Sequence, residues 1–162
     1  MDPSYFSPDI LEFLRLLSEH KVRYMIVGGE AVIYYGYARL TGDIDIFYER
    51  TDKNAKALYE ALKIFWEKQV PGVKDYTEFL EKGEIIQFGR PPNRIDLIND
   101  ISGVVFEKAW LNRKLEEVVI KDQKHFVCYI GLEDLIENKR YANRYKDLED
   151  LKYLTALRKK KK

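Results

Sequence analysis

Tyr24-Met25-Ile26-Val27-Gly28-Gly29 and Asp43-Ile44-Asp45-Ile46-Phe47-Tyr48 are the two stretches that decide the fold of this chain. The first is short, apolar and closed by two glycines, the pattern of a buried strand. The second alternates acids with apolar residues at the two-residue period of a strand. Asp43 and Asp45 therefore share one face, and Ile44 and Ile46 share the other. Neighbouring carboxylates repel each other, and burying either one unpaired costs several kcal/mol. A divalent cation between them removes that cost, and oxygen-only ligands favour magnesium or manganese over zinc. An isolated Asp-x-Asp is more often a solvated pair on an edge strand, so its surroundings must decide.

Working outward, the glycine pair opens directly into a short helix expected over Glu30 to Tyr35 and ended by Gly36. Such a junction leaves backbone N–H groups free at the positive helix end, with no side chain to block a phosphate. Arg39 and Thr41 lie just ahead of the acids, where a guanidinium can pair with a carboxylate or a phosphate oxygen. Further on, Arg94-Ile95-Asp96-Leu97-Ile98 repeats the alternation and sets Asp96 on an otherwise apolar strand. A third acid would complete a two-metal site that holds the attacking and leaving oxygens of an in-line displacement. Asp100, in the turn after that strand, reads as a cap or loop residue.

The remaining elements follow from caps and periodicity. Ser7-Pro8-Asp9 starts a helix carrying Ile10, Leu11, Leu14 and Leu17, and Thr51-Asp52 starts another carrying Ala55, Leu58, Leu62 and Phe65. Strands are expected over Glu84 to Phe88 and Arg94 to Ile98, joined by Gly89-Arg90-Pro91-Pro92-Asn93. A helix from Phe106 to Leu115 precedes a hairpin, Glu117 to Lys121 and His125 to Ile130, turning at Asp122-Gln123-Lys124. The last third is helical: Leu132, Leu135, Ile136 and Lys139 share one face, and Leu148, Leu151 and Leu154 line a second helix. The pattern is a single α+β domain over residues 1–157, with a basic, disordered tail over 158–162.

Composition narrows the chemistry. At 162 residues, 46% hydrophobic and 34% charged, the chain is an ordinary globular protein. Its net charge of +1 gives no global pull toward nucleic acid or membrane, so a nucleic acid acceptor is unsupported by charge. Cys128 is the only cysteine and sits in an apolar strand, which excludes a disulfide scaffold. Two histidines, His20 and His125, leave little room for a zinc site or a Ser-His-Asp triad. No apolar run approaches the roughly 18 residues of a membrane span. The start lacks a signal-peptide pattern, so the expected location is the cytoplasm, with no membrane partner.

Gly28-Gly29, Ala31, Gly36, Arg39, Thr41 and Asp43-Ile44-Asp45 resemble the signature of the DNA polymerase β-like nucleotidyltransferase superfamily. The similarity is to its minimal prokaryotic members, among them antitoxins, abortive-infection toxins and some antibiotic-modifying enzymes. Leu132 to Lys139, then Arg144, Lys146, Asp147 and Asp150, are similar to the two-helix ending of such proteins, so the resemblance spans Tyr24 to Leu154. It implies a nucleotidyltransferase fold with a mixed sheet flanked by helices. It implies that Asp43, Asp45 and Asp96 are catalytic and hold Mg2+ or Mn2+, with a nucleoside triphosphate (NTP) as substrate. Gly28, Gly29, Arg39, Thr41 and Lys139 would bind the nucleotide. Lys139 either reaches the phosphates or acid cluster or lies along the core edge; Arg144, Lys146, Asp147 and Asp150 read as helix-helix salt bridges. Gly29 stands where many members carry a serine, and Glu30 adds an acid at the helix start. The implied activity is transfer of a nucleoside monophosphate to a hydroxyl of a protein, tRNA or small molecule. A toxin–antitoxin setting, with a partner protein or homodimer supplying the acceptor site, fits so short a chain. The alternatives are a non-catalytic module of the same fold that docks a partner protein, and a nucleic-acid binder using the lysine tail.

Overall fold

The computed structural model describes residues 1–162. Six strands run β1 (Tyr24–Val27), β2 (Asp43–Tyr48), β3 (Ile85–Phe88), β4 (Arg94–Ile98), β5 (Lys114–Ile120) and β6 (Gln123–Tyr129). Six helices run α1 (Pro8–Glu19), α2 (Gly28–Tyr34), α3 (Asp52–Phe65), α4 (Phe106–Asn112), α5 (Leu132–Ala142) and α6 (Tyr145–Lys161). The strands form one mixed sheet in the order β3-β4-β2-β1-β6-β5. At its centre β1 lies antiparallel to β2, β2 lies parallel to β4, and β1 lies parallel to β6. The molecule has the mixed α+β architecture expected from the sequence, one mixed sheet flanked by helices and closed by a C-terminal helical pair.

The alternation of β2 sorts its side chains onto two layers. Ile44, Ile46 and Tyr48 join Ile10, Leu14 and Leu17 of α1 and Ala55, Leu58 and Leu62 of α3 in the larger core. Met25, Val27 and Phe47 face the other way, against Ala31 and Val32 of α2, Leu135 and Ile136 of α5 and Leu154 of α6. Asp43 and Asp45 share the phase of Phe47, so they emerge beside α2, α5 and α6. Ser7 accepts from the Ile10 amide at 3.4 Å and Thr51 accepts from the Asn54 amide at 3.3 Å, which places both helix starts where the cap residues predict.

Several boundaries differ from the expected ones. α2 begins at Gly28 itself rather than at Glu30, and β3 begins at Ile85. The helix expected to reach Leu115 stops at Asn112, because Leu115 pairs across the sheet with Cys128. The hairpin is tighter than expected: Lys121 and Asp122, with φ of 51° and 60°, form a two-residue turn, and Gln123 and Lys124 belong to β6. Two left-handed residues match the twist of the flanking strands, and an Asn-Gly signal is not required when the ladder holds them. The tail expected to be disordered continues α6 through Lys161, with Arg158 paired to Glu133 at 3.2 Å. Leu148 is exposed; α6 turns Asp147 and Asp150 inward instead.

Candidate functional site

Parallel pairing of β2 and β4 sets Asp43 opposite Arg94 and Asp45 opposite Asp96. All four share one face of the sheet, and a carboxylate oxygen from each of Asp43, Asp45 and Asp96 lies within 4.8 Å of the other two. They open on a cavity of about 480 Å³ that is also lined by Gly28, Gly29, Arg39, Thr41 and Lys139. The residues singled out in sequence thus surround one space.

Glycine is required on the β1 side of this cavity. Gly28 has φ of +65°, and a Cβ there would fall 2.0 Å from Asp45 Oδ2. The carboxylate occupies the volume a side chain would need. A Cβ on Gly29 would meet Thr41 Oγ1 at 2.9 Å, so the threonine hydroxyl fills the space beside the helix start. That hydroxyl donates to Asp43, with Oδ1 and the carbonyl oxygen both at 3.1 Å.

The acids are unevenly compensated. Burial raises the Asp45 pKa to about 6, and the charges of Asp43 and Asp96 push it the same way. Arg94 bridges the other two: Nη2 donates to Asp43 Oδ2 at 2.6 Å, and Nε donates to Asp96 Oδ1 at 3.0 Å. Gln87 Nε2 donates to Asp96 Oδ2 at 3.2 Å. Arg94 was legible in principle, since a residue two before Asp96 on a strand must share its face. A guanidinium standing between carboxylates shows that the cluster accepts a cation, and three oxygen donors at this separation can hold a hard divalent ion.

The opposite wall is cationic and largely self-paired. Lys139 is 3% exposed, and its Nζ lies 3.1 Å from Asp147 Oδ1 and 2.9 Å from Asp150 Oδ2. Arg144 Nε donates to Asp147 Oδ2 at 2.8 Å, and Arg39 pairs with Asp150 at 2.5 Å. Burial raises the Asp147 pKa, but Arg144 and Lys139 outweigh it and hold the carboxyl below its ordinary value. Lys139 is thus neither free nor at the core edge: it is the centre of a buried network, with one edge on the cavity. Lys146, read from sequence as a salt-bridge residue, is exposed, lines the cavity and makes no ion pair.

A second cavity of about 260 Å³ meets the first at Thr41 and Asp43. Tyr5, Phe6, Ile10 and Ile44 give it an apolar wall, and no lysine or arginine lines it. Its one other charge is Glu30, which accepts from the Tyr5 hydroxyl at 2.9 Å. Burial raises the Glu30 pKa, and Asp43 adds to the rise.

No curated protein matches the chain. Among solved structures, an antigenic nucleotidyltransferase-like protein from Paracoccidioides brasiliensis aligns with a TM-score of 0.51 and 17% identity, over 92% of this chain and 73% of that one. At that identity the likeness speaks for the fold. A family model described as a nucleotidyltransferase of unknown function (DUF6036) matches residues 8–159, nearly the whole chain and all three acids. The chain belongs to that nucleotidyltransferase family.

Proposed function

We propose that the protein moves a nucleoside monophosphate from an NTP to a hydroxyl acceptor and releases pyrophosphate. The observation that carries this reading is the meeting of Asp43, Asp45 and Asp96 within 4.8 Å at the edge of a glycine-floored cavity. The acceptor oxygen attacks the α-phosphorus, the bond to the β-phosphate bridging oxygen breaks, and the hydroxyl proton passes to Asp96. Asp43, Asp45 and Asp96 would hold magnesium or manganese, which when bound screens the phosphates and makes the attacking hydroxyl more acidic. Lys146, Gly28 and Gly29 line the space the triphosphate would fill, so positioning and charge would be the protein's main contribution.

The two cavities differ in charge, and this orients the reaction. The larger has cations on its walls, among them Arg39, Lys139, Arg144 and Lys146, and suits a polyphosphate. The smaller carries Glu30 and Asp43 without a cation and lies on the other side of the same acid. A neutral or positively charged hydroxyl compound, free or on a partner protein, fits there; the phosphate backbone of a nucleic acid end would be repelled.

The test is label transfer from each α-labelled NTP with magnesium in a cell lysate, followed by separation into protein, RNA and small molecules. Wild type should label an acceptor, and Asp43→Asn and Asp45→Asn should abolish labelling while remaining folded. Labelling that survives in both variants would end the catalytic reading.

A further inference from the structure

Asp43 and Asp96 are the only members of the acid cluster already holding a cation, and both share the same one. Arg94 forks between them, with Nη2 donating to Asp43 Oδ2 at 2.6 Å and to Asp96 Oδ2 at 3.2 Å while Nε donates to Asp96 Oδ1 at 3.0 Å. The lone pairs it occupies are among those a divalent ion would need. A divalent ion entering among donor oxygens that lie within 4.8 Å of one another competes with the guanidinium for those lone pairs, and the two like charges repel. Arg39 and Lys139, which line the same cavity, are held by Asp150 and by Asp147 with Asp150, and make no ion pair with the acid cluster.

We propose that Arg94 is a resident counter-ion of the acid cluster, displaced when metal enters, and that this exchange sets the metal affinity. The inference rests on the metal-dependent reading above. Its physical content is that metal entry trades one cation for another, so the net gain is smaller than three bare carboxylates would provide. The displaced side chain has somewhere to go. It is one-third exposed and lines the larger cavity, where a phosphate oxygen pair accepts the same forked donors. A triphosphate in that cavity draws Arg94 off the acids, so nucleotide and metal enter as a coupled pair.

Manganese titration, with free ion read from its electron paramagnetic resonance signal, tests this without turnover. At pH 8 and without nucleotide, Arg94→Gln should bind manganese about tenfold more tightly than wild type, the effect of removing a competing charged contact. Arg94→Lys, which keeps the charge but cannot fork, should fall between them. Equal or weaker binding by a folded Arg94→Gln overturns the proposal. In wild type, the Arg94 Nε–H resonance should shift on magnesium titration with the same midpoint as metal binding; a resonance that stays put through saturation also overturns it, whatever the variants do. If neither wild type nor Arg94→Gln binds manganese at millimolar concentration, the metal-dependent reading itself falls, and this inference with it.

Discussion

Two acid clusters face each other across one cavity and are built in opposite ways. On α6, Asp147 and Asp150 are almost fully buried, and each is met by two cations: Lys139 reaches both, Arg144 reaches Asp147 and Arg39 reaches Asp150. On the sheet, Asp43 and Asp96 share Arg94 while Asp45 has no cation within ion-pair distance. The first cluster is complete and ties α5, α6 and the segment before β2 together. The second is short of positive charge and open to a cavity. Acids whose partners are built in hold elements together, whereas acids left short of positive charge can take up a cation that arrives.

The largest effect should come from breaking the complete cluster. Lys139→Met leaves two buried carboxylates short of their common partner and should cost about 3–5 kcal/mol, read from urea unfolding. Loss of under 1 kcal/mol would show that Lys139 is not the centre of that network. Gly28→Ala comes next. The substituted Cβ would drive into the Asp45 carboxylate from a left-handed backbone, costing about 2 kcal/mol or more and moving Asp45 out of the site. Thermal melting and manganese binding should both report it, and Gly29→Ala, whose Cβ meets side-chain atoms of Thr41 and Arg39 from an ordinary backbone, should show a fraction of the effect.

The opposite sign is expected on the open cluster. Asp45→Asn removes a charge that burial disfavours and should stabilise the metal-free protein by roughly 1–2 kcal/mol at pH 7.5 while abolishing metal binding. Destabilisation by this variant would mean Asp45 is a structural acid after all.

The smallest effect, and the most diagnostic, is in pH. Asp45 holds its proton to about 6 in the folded chain and releases it near 3.8 when unfolded, so the native state binds more protons in between. Its contribution to stability therefore falls as pH rises through that window and is flat above it. Asp147 has a depressed pKa, so its contribution is present above the ordinary carboxylate range and is lost as pH falls through the depressed value. Melting curves of metal-free wild type and Asp45→Asn between pH 4 and 7 should diverge progressively toward the upper end. Parallel curves would remove the electrostatic contrast between the clusters.

Much of the site was legible before the fold. Asp43, Asp45 and Asp96 lie together because two strands of period two bring like phases to one face, and Gly28 is glycine because its Cβ position is filled by Asp45. What misled was local pattern read without partners. Leu148, Leu151 and Leu154 mark an apolar stripe; Leu154 is buried and Leu151 packs against the core, but Leu148 is exposed and Asp147 and Asp150 turn inward, because Lys139 on α5 is buried and demands carboxylates. Leu115 sits at helical spacing after α4 but is held by its ladder partner Cys128.

The sequence by itself determined the strands, the caps, the alternation that exposes the acids on one face and the glycine junction beside them. These depend on backbone sterics and on hydrogen bonds within a few residues. Only the tertiary structure decided which charge answers which: that Arg94 reaches across to Asp43 on the neighbouring strand, that Lys139 is spent on α6, and that Lys146 is left free. Charge pairing is long-range and falls with distance through space, not along the chain, so no local spacing encodes it.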